Sequence, residues 1–560
     1  YQASGAPFYS RTLVSFSSAA MIDPQYAFAI TASLWASVML LPLWSPTFSD
    51  YTPDDMKGGA GWAGLIMFFV LAPDLARTLN NVWSASLGLL LGWSAALIVE
   101  AACNGHVDTH HDMVLFCAMY ILSVAAILYF AVIGVKGQLI ALHIVSAKMI
   151  PILNPDVQTD IAMAGLKSAK LSLYGLLLAI LAVTIPRPQF ATVKSKALLT
   201  KNISLLLNFV KVADKQFFVF KHTHPSYRSL LSKDAETFSN NVSTLKVLLS
   251  SAWWEGFDMK GGRARHMMLA MNHFCDSCQH VFHLMEKALE LPSVKDTPTY
   301  HLEICDKAIE QTGEFLTMMT ERATSGGLDL EESDSEDGSG SDGGALLDSD
   351  VKVIDSDLLA KKQCVEKSLS ELNIATKSLP NVHGTYANLC YTYLLNLYAQ
   401  SSLETLDHLA VAAQTDADST ACSKICNGAR GSLEFVLGNS CAIVLGAVIG
   451  VQLFEYKGGI AIDIGWLMAT DFTTNFEKSL QRLVGIVVPF VLGGTLYIFN
   501  DACTLRDDMI RLGFFFVIQA VSVWGMFNNE TKKWSYSFLL AAVFTPGRLL
   551  APCTDTESRD

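Results

Sequence analysis

The chain has 560 residues, of which 51% are hydrophobic and 17% are charged, and its mean hydropathy is +0.33. This composition is too apolar for a wholly soluble protein and too charged for one that lies entirely in a membrane, so we expect two regions of different composition. The formal net charge of −13 depends largely on the acidic residues between Asp329 and Asp350, and the near-neutral remainder excludes a basic nucleic-acid-binding face.

Six apolar runs in the first third of the chain are close to the length that crosses a bilayer. They cover residues 27–44, 62–75, 83–103, 113–132, 137–152 and 166–185. Arg11, Arg77, Lys136 and the basic residues of 187–201 fall in alternate connections, and loops rich in Lys and Arg face the cytoplasm. We therefore predict a cytoplasmic or interfacial segment over residues 1–26. A first transmembrane block follows over residues 27–186, with both of its ends in the cytoplasm.

The middle of the chain, residues 187–430, is predicted to be a cytoplasmic helical domain. Apolar residues recur there at helical spacing, which favours a helical bundle. The predicted helices cover residues 193–220, 227–254, 264–291, 300–324, 351–378 and 385–413. The acidic, Gly- and Ser-rich loop 325–350 cannot bury a core and is predicted to be disordered. Ser333 and Ser335 in this loop are candidate phosphorylation sites, and a plain solvated linker is the alternative.

A group of metal-ligand residue types lies within one of these helices: His273, Cys275, Cys278, His280 and His283. A closed structural zinc site needs four converging ligands, whereas these residues spread around the axis of a single helix. Cys278 also belongs to the apolar stripe of that helix. The pattern therefore favours packing between helices, and we expect neither a metal nor a cofactor.

A second transmembrane block is predicted over residues 431–560. Its apolar runs cover residues 435–454, 460–470, 483–499, 509–527 and 536–550. Several of its features match the first block in the same order and about 400 residues later: Trp466 corresponds to Trp62, and Lys532 or Lys533 to Lys136. The order of these matches predicts a parallel duplication. The sequence reaches residue 560 without a sixth span of the second block, and whether one follows stays open.

Two cations occupy the same place in the two blocks. Lys148 and Arg548 lie near the outer end of the fifth apolar run, a few residues before a proline. A cation inside a membrane span costs about 2.5–3.5 kcal/mol on insertion scales, so it usually faces a wet cavity or an anionic partner. The two cations therefore either line a central anion path between the repeats or extend toward the outer headgroups, as long side chains near span ends do.

Three further residues are candidates for the same path or lie near it. Arg77 lies at the cytoplasmic end of the second run, where it either pairs with Asp74 or guards an entrance. Arg482 is predicted to be a cytoplasmic anchor or a residue of the path's mouth. His143 lies about 140° from Lys148 around a helix, so we assign it to packing. The predicted anion-path residues are thus Lys148, Arg548, Arg77 and Arg482.

The segments that join the second and third runs carry a family resemblance. Residues 62–92 and 466–494 each begin with a tryptophan, pass through a polar turn and end in a glycine-bearing span. In this layout the chain resembles the fusaric-acid-resistance-protein-like family of membrane transporters, and plant aluminium-activated malate transporters look like single-block relatives. Arg482 and Gly485 resemble the family's Arg-x-x-Gly step, whereas the first copy has Ala85 before Gly88. The resemblance implies transport or conduction of anions, without covalent chemistry.

The sequence therefore predicts an all-α polytopic membrane protein with two homologous six-span-type blocks and a cytoplasmic helical bundle inserted between them. The predicted function is an anion channel or transporter, with organic acids as the expected substrates, and not an enzyme. The alternative is a non-transporting membrane scaffold whose cytoplasmic domain recruits partners. Expected partners are membrane lipids and a small anion, without nucleic acid, and a homodimer or larger membrane assembly stays open. The expected location is the plasma membrane or an organelle membrane, with the N-terminus in the cytoplasm.

Overall fold

The structure is a computed structural model whose regular elements, over the residues that it describes, are all helical. The described residues are 24–45, 48, 52–54, 56–103, 110–129, 134–154, 161–186, 188–218, 225–255, 259–288, 299–325, 356–378, 386–414, 433–454, 456, 458–467, 472–499, 505–528 and 531–550. The predicted segment 1–26 up to residue 23, and the acidic loop from residue 326 with Ser333 and Ser335, lie outside them. The chain forms two compact units: unit 1 comprises Tyr1–Gln189 and Cys422–Asp560, and unit 2 comprises Phe190–Ala421.

The first part of unit 1 contains six described α-helices. They are α1 (Pro24–Trp44), α2 (Ala60–Val70), α3 (Leu75–Ala102), α4 (His110–Tyr129), α5 (Gly134–Met149) and α6 (Ile161–Thr184). A 3₁₀ turn, Ile150–Leu153, extends α5 and contains Pro151. With 11 residues, α2 is about 16 Å long, which is half the thickness of a bilayer's hydrocarbon core.

Unit 2 also contains six described α-helices. They are α7 (Ala191–Phe218), α8 (Pro225–Ser251), α9 (Met259–Ala288), α10 (Thr299–Ser325), α11 (Ser356–Lys377) and α12 (Tyr386–Gln414). The predicted apolar stripe of α9 is buried in the core of this unit, and its members are Met267, Met271, Phe274, Cys278, Phe282 and Met285. The rings of Phe209 and Phe282 stack there with centroids 4.1 Å apart. The carboxylate of Glu255 caps the start of α7 by accepting hydrogen bonds from the Ala191 and Thr192 backbone amides.

The second part of unit 1 contains five described α-helices. They are α13 (Leu433–Leu453), α14 (Gly459–Leu467), α15 (Phe472–Phe499), α16 (Leu505–Phe527) and α17 (Ser535–Leu549). Their lengths of 21, 9, 28, 23 and 15 residues follow those of α1 to α5, which are 21, 11, 28, 20 and 16 residues. A short second helix thus precedes the longest helix in both parts.

Eight helices in the described part of the chain are long and apolar enough to cross a membrane: α1, α3, α4, α5, α6, α13, α15 and α16. All of them belong to unit 1. Large aliphatic side chains such as Leu90, Leu122 and Val491 are exposed on their outer faces, which suits contact with lipid and not with water. The chain is accordingly a helical, membrane-embedded protein, as its composition predicts.

The two parts of unit 1 pack against each other reciprocally. The first helix of each part contacts the fourth helix of the other, since α1 packs on α16 and α13 packs on α4. The second helix of each part likewise contacts the fifth helix of the other, since α2 packs on α17 and α14 packs on α5. The fifth helices, which carry Lys148 and Arg548, therefore lie where the two parts meet.

The break between α2 and α3 differs from the sequence-based prediction. The apolar pattern places the third run at residues 83–103, whereas α3 begins at Leu75. Pro73 disfavours a helical conformation at Ala72, so α2 cannot continue through this point. Asp74 then starts α3 as its N-cap, because its carboxylate accepts a hydrogen bond of 2.9 Å from the Arg77 backbone amide.

Candidate functional site

Lys148 lies in the last turn of α5, next to the 3₁₀ turn that contains Pro151. Its side chain is half-buried. The Nζ atom is 5.8 Å from the ring centroid of Trp93 on α3, which is within the range of a cation–π contact. An aromatic ring thus holds this cation near the end of its helix.

Arg548 lies in the last turn of α17 and has the same type of contact. Its Cζ atom is 3.5 Å from the ring centroid of Phe490 on α15. A Cβ atom added at Gly493 would be 3.3 Å from the Arg548 Cβ, so the glycine lets α15 and α17 approach closely beside the cation. Unlike Lys148, Arg548 is exposed.

The two cation–aromatic pairs have the same placement in the two parts of unit 1. Each joins the last turn of a fifth helix to the third helix of the same part. Trp93 follows Gly88, and Phe490 follows Gly485, by five residues in both cases. Sequence reasoning identified the two cations but missed the two rings, which this equal spacing from a glycine could have revealed.

Close backbone contacts between the two parts of unit 1 lie beside these pairs. A Cβ atom at Gly61 on α2 would be 2.9 Å from the Cα of Gly547, the residue before Arg548. A Cβ atom at Gly458, directly before α14, would be 2.2 Å from the carbonyl oxygen of Ser146 on α5. Glycines thus allow a short second helix to meet the opposite fifth helix near its cation.

Arg77 lies far from Lys148 along the same assembly of helices. It is in the first turn of α3, about 24 Å along the helix axis from Trp93. Its Nε atom donates a hydrogen bond of 2.5 Å to the Asp74 carboxylate, which is fully buried. The structure therefore contains the local pair that the sequence offered as one alternative for Arg77.

Lys136, at the start of α5, contributes to the same end of unit 1. Its Nζ atom donates a hydrogen bond of 2.6 Å to the Phe69 carbonyl oxygen near the end of α2. The Asn81 side-chain amide donates to the adjacent Val70 carbonyl at 2.9 Å. Carbonyls at a helix C-terminus lack partners within the helix, so these two side chains stabilise the end of α2.

Arg482 is buried, with 5% of its surface exposed. Its Nη2 atom donates a hydrogen bond of 2.8 Å to the Tyr536 hydroxyl, and its Cζ atom is 4.9 Å from the Tyr536 ring centroid. Arg482 precedes Phe490 by about 12 Å along α15. Its contact with Tyr536 anchors α15 to the start of α17.

His143 packs as the sequence predicted, with one additional feature. Its ring centroid is 5.0 Å from that of Trp62 on α2. The Trp62 indole nitrogen donates to the Ser172 hydroxyl on α6 at 2.8 Å. The His143 Nδ1 atom is buried and makes no hydrogen bond within the described part of the chain.

The histidines and cysteines of α9 do not converge on a metal. Cys275 and Cys278 are buried in the core of unit 2, whereas His273 and His280 are exposed. Among the residues that the structure describes, no group of three or more His, Cys, Asp or Glu side chains is arranged to hold a metal ion. Burial raises the pKa of the Cys275 thiol to about 12, as expected for a packing residue and not for a thiolate ligand.

Comparison with known proteins adds no identification. No family model matches this chain, and no curated protein matches it significantly. The candidate site is therefore defined by its own geometry: two corresponding cation–aromatic pairs, at the ends of the helices along which the two parts of unit 1 meet.

Proposed function

We propose that this protein is a membrane transporter or channel for anions, with organic acids as its expected substrates. Lys148 and Arg548 supply the positive charge of the path. The observation that carries the proposal is the matched placement of these two cations, each in the last turn of a fifth helix and each against a ring of a third helix. The path requires no covalent chemistry.

The proposal includes an internal duplication, in which α1 to α5 correspond to α13 to α17. The repeated helix lengths and the reciprocal contacts between the two parts support it. Short apolar helices at corresponding positions of two repeats are typical of transporter binding sites, because broken helices expose backbone groups near the membrane's middle. In this chain the short helices are α2 and α14, and each contacts the fifth helix of the other part.

Fixed charge would provide the selectivity. A cation that is held by an aromatic ring within an apolar helical assembly lowers the barrier for an anion and raises it for a cation. The aromatic contact keeps the cation in position. Unlike a carboxylate, the ring does not neutralise its charge. Arg77 and Arg482 are proposed to lie at the opposite end of the path. Arg482 keeps its positive charge there beside the Tyr536 hydroxyl, whereas Arg77 is paired with the Asp74 carboxylate.

The remaining parts of the proposal concern topology and partners. Unit 2 is proposed to be a cytoplasmic regulatory domain, and Ser333 and Ser335 are proposed phosphorylation sites. Membrane lipids and a small anion are the proposed partners, with assembly into a homodimer or larger complex left open. The likeness to fusaric-acid-resistance-type transporters is part of the same proposal, and the helix order of unit 1 supports it.

The first test measures anion flux in vesicles reconstituted with the purified chain. We expect Lys148→Ala and Arg548→Ala each to reduce flux about tenfold or more, because losing ~1.4 kcal/mol of ion stabilisation corresponds to a factor of ten. Lys148→Arg and Arg548→Lys keep the charge and should retain most of the flux. Lys148→Glu should shift selectivity toward cations.

Lys167→Ala is a matched control, since Lys167 is an exposed lysine on the membrane-spanning helix α6. Its flux should equal that of the wild type. Absence of flux in the wild-type protein, or unchanged flux in well-assembled Lys148→Ala and Arg548→Ala vesicles, would contradict transport through this site. That result would favour the alternative function, a membrane scaffold that recruits partners through unit 2.

A further inference from the structure

An apolar groove lies between α15, α16 and α17 in the second part of unit 1. Its volume is about 490 Å³, which is within the range of ligand-binding pockets. The lining residues are Val484, Gly485, Val488 and Leu492 on α15, Val517, Ile518, Val521 and Ser522 on α16, and Trp534, Ser537, Phe538 and Ala541 at the start and along the length of α17. Most of these side chains are hydrocarbon.

The groove lies where α15 and α16 both pack on α17 but have few contacts with each other. A Cβ atom at Gly485 would be 2.6 Å from the Ser537 carbonyl oxygen, so α15 and α17 are in close backbone contact. The Gln519 amide donates to the Ala542 carbonyl at 2.9 Å and thereby ties α16 to α17. In the first part, the corresponding helices α3 and α4 are in contact with each other.

The dimensions of the groove suit a hydrocarbon chain. Its lining on α15 extends from Val484 to Leu492, which is about 12 Å along the helix and close to the depth of one bilayer leaflet. Water is a poor occupant, because an aliphatic lining offers it few hydrogen bonds. Val488, Val517 and Val521 are 42%, 57% and 53% exposed, so a chain in the groove would cover apolar surface that the protein leaves open.

One end of the groove carries positive charge. Arg482 lies two residues before Val484, and the exposed Lys533 directly precedes Trp534. The Gln481 amide donates to the Lys533 carbonyl at 2.7 Å, and the Ser537 hydroxyl donates to the Gln481 carbonyl at 2.8 Å, so this end is held together by polar contacts. A tryptophan beside a basic residue is typical of the level of the lipid headgroups.

We propose that this groove binds one acyl chain of an anionic phospholipid, with the phosphate beside Lys533 at the Trp534 end. Basic residues at the headgroup end of a cleft between membrane helices attract anionic lipids. The length of the groove, its apolar lining and the positive charge at one end together define the ligand. The test of this lipid site does not depend on the proposed anion path, since lipid labelling is measured without flux.

The test uses phosphatidylglycerol with a diazirine on one acyl chain, incorporated into nanodiscs that contain the full chain. After irradiation, mass spectrometry should locate the label at the lining residues of α15, α16 and α17. Val521→Phe fills the groove and should lower this labelling about tenfold. Val517→Phe should do the same and guards against a folding defect in the first variant, which size-exclusion chromatography also checks.

Val448→Phe is the matched control, because Val448 is 52% exposed on the membrane-spanning helix α13 and does not line the groove. Its labelling should equal that of the wild type. The same diazirine on phosphatidylcholine should label the groove several-fold less, and Lys533→Ala should remove this difference.

Any of four outcomes would overturn the proposal. Label could be spread over the exposed faces of the membrane helices, or it could persist unchanged in folded Val521→Phe and Val517→Phe. Equal labelling by phosphatidylcholine, or labelling by a diazirine fatty acid but not by the phospholipid, would exclude an anionic phospholipid as the ligand.

Discussion

Asp54 and Asp74 each pair with a basic residue three positions later, but in different surroundings. The Asp54 carboxylate is 94% exposed and contacts Lys57 at 2.7 Å. The Asp74 carboxylate is fully buried, caps α3 and contacts Arg77 at 2.5 Å. Lys57 lowers the pKa of Asp54 through its hydrogen bond, but water screens a pair as exposed as this one. The buried pair, by contrast, determines where α3 begins.

Asp74→Ala should therefore destabilise unit 1, because it removes the N-cap and leaves the Arg77 guanidinium without its carboxylate. We expect the free energy of unfolding to fall by about 2 kcal/mol. An N-cap contributes ~1 kcal/mol, and leaving a partly buried guanidinium without its carboxylate adds to the cost. Thermal unfolding of the detergent-solubilised chain measures the effect. Asp54→Ala is the control and should leave the midpoint unchanged; an equal shift in both variants would contradict the argument.

The contact between the third and fifth helices has the same design in both parts of unit 1. A Cβ atom at Gly88 would be 2.2 Å from the Gly137 carbonyl oxygen, and one at Gly485 would be 2.6 Å from the Ser537 carbonyl oxygen. A hydrogen bond accompanies each contact: the Gly137 amide donates to the Ser84 hydroxyl, and the Ser537 hydroxyl donates to the Gln481 carbonyl. These glycines are needed for space, since backbone atoms cannot move aside as a flexible side chain can.

Gly88→Ala and Gly485→Ala should each destabilise unit 1 by about 1–3 kcal/mol, the usual cost of inserting a methyl group into a packed contact. Gly494→Ala introduces the same methyl group into α15, where a Cβ atom would meet nothing within 4 Å. It should be neutral or slightly stabilising, because alanine favours a helix over glycine. Thermal unfolding midpoints in detergent measure the stability of the three variants. If Gly494→Ala lowered the midpoint as much as Gly485→Ala, the packing explanation would be wrong.

Apolar periodicity predicted most helices of this chain to within a few residues, because long amphipathic or apolar stretches carry a strong signal. The predicted helix over residues 385–413, for example, is observed as Tyr386–Gln414. The start of α3 was misplaced because Arg77 and Asn81 resemble loop residues, whereas they bond to Asp74 and to the end of α2. The lipid groove could not be predicted either, since the spacing of α15 and α16 depends on tertiary contacts.

At the scale of the whole molecule, both units bury carboxyl groups, such as Asp74 in unit 1 and Asp214 in unit 2. Unit 2 buries a carboxyl group, Asp214 on α7, which is 6% exposed. The Tyr391 hydroxyl on α12 donates a hydrogen bond to it at 3.3 Å. Burial, followed by the charge and hydrogen bond of Asp306 on α10, raises the pKa of Asp214 to about 7, although Tyr391 and Lys215 oppose this shift. Three helices of unit 2 therefore meet at one titrating group.

The stability of unit 2 should depend on pH through Asp214. Because folding raises the pKa of Asp214, its folded form binds the proton more tightly than the unfolded chain, whose carboxyl keeps a pKa near 3.8. Stability from this group is fully present below about pH 4 and is lost as pH rises toward 7. At ~1.4 kcal/mol for each pKa unit, the loss amounts to a few kcal/mol. Hydrogen exchange of α7, α10 and α12 in the full chain should therefore be faster at pH 8 than at pH 5, beyond the intrinsic rate change.

Asp214→Asn keeps the shape of the side chain and cannot ionise, so it should remove this pH dependence and protect the three helices at pH 8. Asp276→Asn on α9 is the control, because Asp276 is exposed, and its exchange profile should follow that of the wild type. An Asp214→Asn protein with less protection than the wild type at pH 8 would contradict the prediction. It would mean that the ionised carboxylate stabilises unit 2 through its contacts with Tyr391 and Lys215, despite its burial beside Asp306.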